Sequence, residues 1–373
     1  MSKTSRTLGL LAGALAVVPT VTLADGPKFS GFVTGSYIYD LNDPASGFIN
    51  GAGSAPVTGY TNFYGGRNAS FKADAAHLTI TGGDSAGATY TIDLDAGTDG
   101  IATGGSMSTN TTSGFAFDVQ QAFVSIPFGK SPFGLMAGKF YTSEGIEVGN
   151  SAANPTVTRG LAFGIVEFTS STGAVLTFKA NDQISGAIGA VNQPNHGSSV
   201  WQYDGSDGIP VGYAKVSLGF GDPFSGTISA YFGPQGGVGS PTARKNYTSL
   251  DLTAVTKTIP SLDLNYQLNY EMFMKAGVGG KDAMSYLIGI QPLYHMGPGQ
   301  IGLRYEYIGL DNGSTTTSIN SIAVAPGYKL TQSTLLRVEY RIDFASEKIF
   351  EDDVAAGNTK TDQVVGAEVN YTF

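Results

Sequence analysis

The chain has 373 residues, with 52 glycines, 19 tyrosines, 21 phenylalanines, no cysteine and only 14% charged residues, well under the ~25% of an ordinary soluble domain. Its net charge of −9 excludes nucleic acid as a partner, which needs a basic footprint, and the lack of cysteine excludes disulfides as a source of stability. Low charge at a mean hydropathy of +0.01 describes a surface of which half faces something other than water.

The N-terminus sets the compartment. Lys3 and Arg6 precede an apolar run at 8–18, and Thr22, Leu23 and Ala24 offer small residues for cleavage; this is the three-part layout of a secretory signal peptide. Residues 1–24 are therefore expected to be removed, leaving 25–373 as one domain with 19 basic and 30 acidic residues, a net of −11. No later run approaches the ~18 apolar residues of a spanning helix.

Sixteen strands are expected in the mature chain, near 28–40, 69–81, 87–95, 115–127, 133–141, 172–180, 183–192, 211–219, 224–232, 245–256, 261–272, 282–291, 299–309, 319–329, 333–343 and 361–373. The links between them alternate long and short. The short ones, at 82–86, 128–132, 181–182, 220–223, 256–260, 292–298 and 330–332, are crowded with Asp, Asn, Gly and Pro, as turn chemistry requires. One hairpin fewer or more gives fourteen or eighteen strands.

The third long connection, 142–171, carries Glu144, Glu147, Arg159 and Glu167, glycines at 145, 149, 160 and 164, and apolar Leu161, Phe163, Ile165 and Val166. Such apolar residues are awkward in a free surface loop and suit a segment folded against a wall. The bland alternative is an external lid with a short extra hairpin.

Faces are clearest in the later strands. Leu262, Leu264, Tyr266, Leu268, Tyr270 and Met272 alternate with Asp263, Asn265, Gln267, Asn269 and Glu271, and Leu336, Val338, Tyr340 and Ile342 alternate with Arg337, Glu339, Arg341 and Asp343. A period of two places each set on its own face. Charges at every second position cannot face lipid, where a basic side chain at mid-depth costs roughly 2–4 kcal/mol. The apolar face is therefore expected outward and the polar face toward a lumen. The last strand ends on Phe373 with Val365, Ala367, Val369 and Tyr371 on the same face, which suits a strand finishing at a membrane–water boundary. An even strand number with long loops at one end and short turns at the other describes an all-β, single transmembrane antiparallel up-and-down β-barrel with short periplasmic turns and long extracellular loops. A soluble sandwich explains the alternation but not the signal, the terminal aromatic and the loop rhythm together.

With these residues in hand, the chain resembles the β-barrel porin type-2 family of Gram-negative outer membranes. The resemblance is carried by Phe29 to Tyr37, Gln120 to Ser125, Ala137 to Phe140, Leu303 to Tyr307, Leu336 to Asp343 and the closing strand. It implies a bacterial outer-membrane channel for passive diffusion of small hydrophilic solutes or ions, seated among outer-membrane lipid and lipopolysaccharide. Sixteen-stranded porins are commonly trimers, so a homotrimer is expected by analogy. The family brings no catalytic residue, cofactor or metal.

Candidate pore-lining residues follow from parity and loop position: Glu144, Glu147, Arg159 and Glu167 from the 142–171 segment, and Lys215, Arg304, Glu306, Arg337, Glu339 and Arg341 from the wall. Acids on one side and arginines on the other would set a transverse field. Alternatively, Arg304–Glu306 and Arg337–Glu339–Arg341 form wall ion-pair ladders that select nothing. The acidic balance predicts mild cation preference. An enzyme is not expected: His77, His196 and His295 are scattered, and nucleophilic hydrolysis needs a base beside its nucleophile. A non-conducting adhesin or structural barrel, or a substrate-specific channel, are the competing functions.

Overall fold

The computed structural model describes residues 26–42, 70–97, 116–149, 151–192, 195–196, 210–219, 223–235, 245–352 and 357–373. Residues 1–25, where the signal peptide is expected, and the larger part of several long connections lie outside the described residues. Sixteen long strands form the wall: β1 (Lys28–Asp40), β2 (Ser70–Gly83), β3 (Thr89–Gly97), β4 (Ala116–Pro127), β5 (Phe133–Tyr141), β6 (Phe168–Lys179), β7 (Ile184–Val191), β8 (Val211–Gly219), β9 (Phe224–Gln235), β10 (Lys245–Ile259), β11 (Leu262–Phe273), β12 (Ala283–Met296), β13 (Gly299–Asp311), β14 (Thr316–Lys329), β15 (Thr334–Ala345) and β16 (Thr361–Thr372).

Each strand pairs antiparallel with the next, and β16 returns to β1 in a ladder running from Phe32↔Thr372 to Asp40↔Val364. The amide of Gly31 and the carbonyl of Phe373 add a 3.0 Å bond below that ladder. The sheet is therefore a closed all-β barrel, and closure removes the unpaired edges that an open sheet would carry. Small additions sit at the long-loop end: Asn195–His196 pairs with β6, and Phe350–Asp352 pairs with Gly357–Thr359. No described helix is long and apolar enough to cross a membrane.

Alternation fixes which way each strand faces. On β15, Val338 and Tyr340 are 48% and 44% exposed, while Arg337, Glu339 and Arg341 between and beside them are 0–3% exposed. The same contrast separates Leu268 and Tyr270 from Gln267, Asn269 and Glu271 on β11. A slip of one residue would turn every charge toward the apolar surround, at the cost already given for lipid-facing charge. Tyr37, Tyr39, Tyr305, Tyr340, Tyr371 and Phe373 all stand exposed on the outer surface.

Several strand boundaries differ from the sequence expectation, and two of the differences have a plain physical reason. β12 continues through Pro292 to Met296, leaving a tight turn at Gly297 with φ +62°. Pro292 has no N–H to give, and the β12–β13 ladder skips Gln291 and Pro292 without losing register, as a proline in a strand requires. Pro326 interrupts the β14–β15 ladder in the same way. β6 begins at Phe168, four residues early; its first turn of Thr and Ser lacks apolar alternation but is paired with β5 from Tyr141↔Ser170 onward.

Candidate pore constriction

The described residues of the connection, 142–149 and 151–167, lead from β5 to β6 along the inner wall. At its start, Thr142 hydrogen-bonds through Oγ1 to the Phe168 carbonyl, and Ser143 Oγ lies 3.2 Å from the Tyr213 hydroxyl of β8. Glu144 accepts from the Phe168 amide at 3.0 Å and from Ser249 Oγ of β10 at 2.5 Å. The Gly145 amide donates to Asp251 of β10 at 3.1 Å. The segment then runs across to the far wall. Ser151 Oγ is 3.0 Å from Thr34 Oγ1 of β1 and accepts from Asn370 of β16 at 3.3 Å.

Carboxylates of the wall hold the segment by its backbone. Glu339 of β15 accepts from the Val157 and Thr158 amides at 2.5 and 3.0 Å. Glu306 of β13 accepts from the Leu161 and Ala162 amides at 2.7 and 3.1 Å, where a short π-helical turn, Ala162–Val166, begins. Hydrogen bonds to a charged group contribute ~1.5–3 kcal/mol each, so these four amides are anchored more firmly than ordinary loop backbone. An added Cβ on Gly160 would lie 2.2 Å from the Glu306 carboxylate, so only glycine lets that carboxylate reach the following amides. Beneath them, Val157, Leu161, Phe163, Ile165 and Val166 pack with Ile38, Leu287, Ile308, Leu310 and Ile319 of the wall.

The arginines meet acids directly. Arg304 donates to Glu147 at 2.9 Å and to the Thr158 carbonyl at 2.5 Å, with its Nε 3.5 Å from Glu306. Arg337 pairs with Glu368 of β16 at 2.5 Å and donates to the Ser151 carbonyl at 2.7 Å and to the Asn154 carbonyl. Arg341 pairs with Asp343 at 2.7 Å and reaches the Arg159 carbonyl at 2.6 Å. Arg159 donates to the Gly149 carbonyl at 2.6 Å and lies over the Phe163 ring at 4.8 Å. Arg304 and Glu306 are thus neighbours as the ladder reading expects. Arg337 instead takes Glu368, and Glu339 serves the segment backbone. Lys215 of β8 is buried beside Ser229 across the β8–β9 ladder, away from the arginines.

Several lumen residues were not singled out from sequence. Asp251 of β10 and Gln267 of β11 meet the segment's two ends, Asn269 supports Asp251, and Glu271 follows on the same face of β11; the polar parity of β11 was the available signal. A second acidic strip runs over β2–β4, where Asp74, Asp93, Asp95 and Asp118 are buried. Gln121 donates to Asp93 at 2.5 Å, and Lys139 lies 3.4 Å from Asp118. Among the described residues, fourteen acidic and five basic side chains are buried, so the interior is acidic on balance. His77 and His295 stand on β2 and β12 beside Asp93 and Asp263, at 3.8 and 3.1 Å.

Solved structures share this architecture. The outer membrane channel DcaP of Acinetobacter baumannii matches with a TM-score of 0.62 and 13% identity, over 93% of this chain and 97% of that one. An anion-selective porin from Comamonas acidovorans matches with a TM-score of 0.59 and 13% identity, over 93% and 99%. The trimer form of OmpT from Vibrio cholerae matches with a TM-score of 0.56 and 11% identity, over 93% and 99%. At these identities the likeness is one of fold. No curated protein sequence matches the chain. The sequence profile of the beta-barrel porin-2, OmpL-like family matches residues 26–373, and the chain, an outer-membrane β-barrel, belongs to that family.

Proposed function

We propose that the protein is a passive channel for small hydrophilic solutes or ions with a preference for cations, assembled as a homotrimer. The observation that carries this reading is the buried charge of the lumen: acids outnumber bases among the described buried residues, and Arg304, Arg337 and Arg341 each meet a carboxylate at 2.5–2.9 Å. A lumen of that sign lowers the energy of a cation in transit and raises that of an anion. The anion-selective porin of similar fold is consistent with selectivity being set by side chains within a common barrel. The trimer form of OmpT supports the oligomer.

Protein reconstituted in planar bilayers under a KCl gradient is expected to give a reversal potential displaced toward the potassium equilibrium value. A displacement toward chloride would refute the cation preference. The apolar cluster that Val157 and residues within 161–166 form with inward-facing wall residues favours one second reading, a barrel that serves adhesion or structure and conducts nothing. Insertion without any conductance would select it.

A further inference from the structure

Both ends of the in-folded segment are fastened at one cluster of carboxyl groups. Glu144 stands three residues after β5 and Glu167 immediately before β6. The Gln267 amide nitrogen bridges Glu167 at 2.9 Å and Asp251 at 2.8 Å, and Asn269 adds a 3.2 Å bond to Asp251. Glu271, next along that face, accepts from Ser285 at 2.6 Å. All of these side chains are more than nine-tenths buried.

The groups facing the cluster are known from each element. Tyr213 of β8, Tyr231 of β9, Tyr247 and Asp251 of β10 and Glu271 of β11 lie close enough to act on Glu144, and Asp251 and Glu306 of β13 on Glu167; Arg304 stands beside Glu306, Lys215 lies two strands from Asp251 in the same row, and β12 presents the uncharged Ser285 and Gln291. Glu147 lies within the segment itself. Among the described residues no cation forms an ion pair with Glu144, Glu167 or Asp251. Arg304 is held by Glu147 and Glu306, and Arg159 by the Gly149 carbonyl. Like charges this close and this buried cannot all ionise.

A second observation concerns the uncharged members of the cluster. Oε1 of Gln267 and Oδ1 of Asn269 are buried without a donor. Turning either amide over would take a donor from Asp251 and, for Gln267, from Glu167 as well. The cluster is short of hydrogen-bond donors, and a carboxyl group gains one only when it is protonated. The backbone is also shaped to receive an acid: Gly145 has φ +83°, and a Cβ there would lie 2.1 Å from the Glu167 carboxyl carbon.

We propose that this cluster is a proton-operated latch, which holds residues 142–167 in the lumen while its carboxyls are protonated and releases them, widening the passage, when the protons leave. Burial pushes Glu144 and Glu167 well above the usual carboxyl range, and the charge of Asp251 pushes each further. A group whose pKa is higher in the latched state than in the released one binds protons preferentially in the latched state. Latching is then complete below the ordinary glutamate value of 4.5 and is lost as pH rises through the elevated one.

The conductance readout rests on the channel reading, whereas amide exchange in the segment does not. With the full chain in lipid vesicles, exchange of segment peptides, corrected for intrinsic rates, is expected to speed at least ~10-fold between about pH 5 and about pH 9, the change that ~1.4 kcal/mol of linkage produces. Bilayer conductance should rise over the same range. Glu144→Gln combined with Glu167→Gln should abolish both responses and leave the segment protected throughout; Asp251→Asn is the substitute if that variant fails to fold. A tether gives an independent check. A Cβ at Gly366 would stand 3.9 Å from the Val157 Cβ, close to the ~3.8 Å of a disulfide, and the chain has no other cysteine. Val157→Cys with Gly366→Cys should hold the segment at both pH values when oxidised and free it at high pH when reduced. Exchange that does not change with pH in the wild type, or an equal response in the Gln variant, would overturn the latch. Exchange that responds while no current ever flows would support the latch and refute the channel.

Discussion

Arg304 donates from Nη1 to Glu147, to Thr156 and to the Thr158 carbonyl, and from Nη2 to Thr158 Oγ1. One guanidinium therefore joins the wall to three positions of the in-folded segment. Its geometry suits a planar fork of donors and no lysine could reproduce it. Arg304→Ala leaves Glu147 and Glu306 buried without their cation, a situation that costs ~3–5 kcal/mol. The expected outcome is a lower urea midpoint of the lipid-reconstituted protein, with Arg304→Lys recovering only part of the loss. A midpoint unchanged in Arg304→Ala would show that the pair contributes nothing net. The sequence made Arg304 and Glu306 legible as lumen residues because parity alone sets their face. It did not make Glu147 legible as their partner, since that contact spans 157 positions and depends on where the segment lies.

At the scale of elements, the segment between β5 and β6 is an insert in a wall that closes without it. The β5–β6 ladder runs unbroken from Phe133↔Phe178 to Tyr141↔Ser170, and closure depends on β1 and β16. Replacing residues 145–166 with a short Gly-Ser linker should therefore leave a folded, heat-modifiable barrel with several-fold larger single-channel conductance. Equal conductance before and after replacement would show that the segment does not narrow the path. Most strands were legible because period-two patterning and turn residues act locally; β1, β5 and β8 fall where the pattern places them. The failures were local too. Pro292 reads as turn punctuation but sits in β12 at a gap in the ladder, and the Thr169–Ser171 start of β6 carries no apolar alternation, so only its partner strand defines it.

For the whole molecule, one arrangement underlies everything above: apolar side chains outward, polar side chains inward, around a closed ring of strands. The long-short rhythm of the connections made the barrel legible, because hairpin turns and long loops must segregate to opposite ends. The packing of the segment against the inner wall was not legible. Ile38 of β1, Val157 of the segment and Val364 of β16 share one apolar cluster, and no spacing in the sequence announces that meeting.

The cysteine-free chain allows the arrangement to be tested one side chain at a time. Single cysteines at Thr253 and Asn265, which face inward at the open part of β10 and β11, and at Leu252 and Tyr266, which stand exposed on the outer surface, would be probed in lipid vesicles with a charged, water-soluble thiol reagent. Because the reagent reaches thiolates only through water, the account predicts rapid labelling at 253 and 265 and protection at 252 and 266. Rapid labelling at 252 and 266 with protection at 253 and 265 would contradict it.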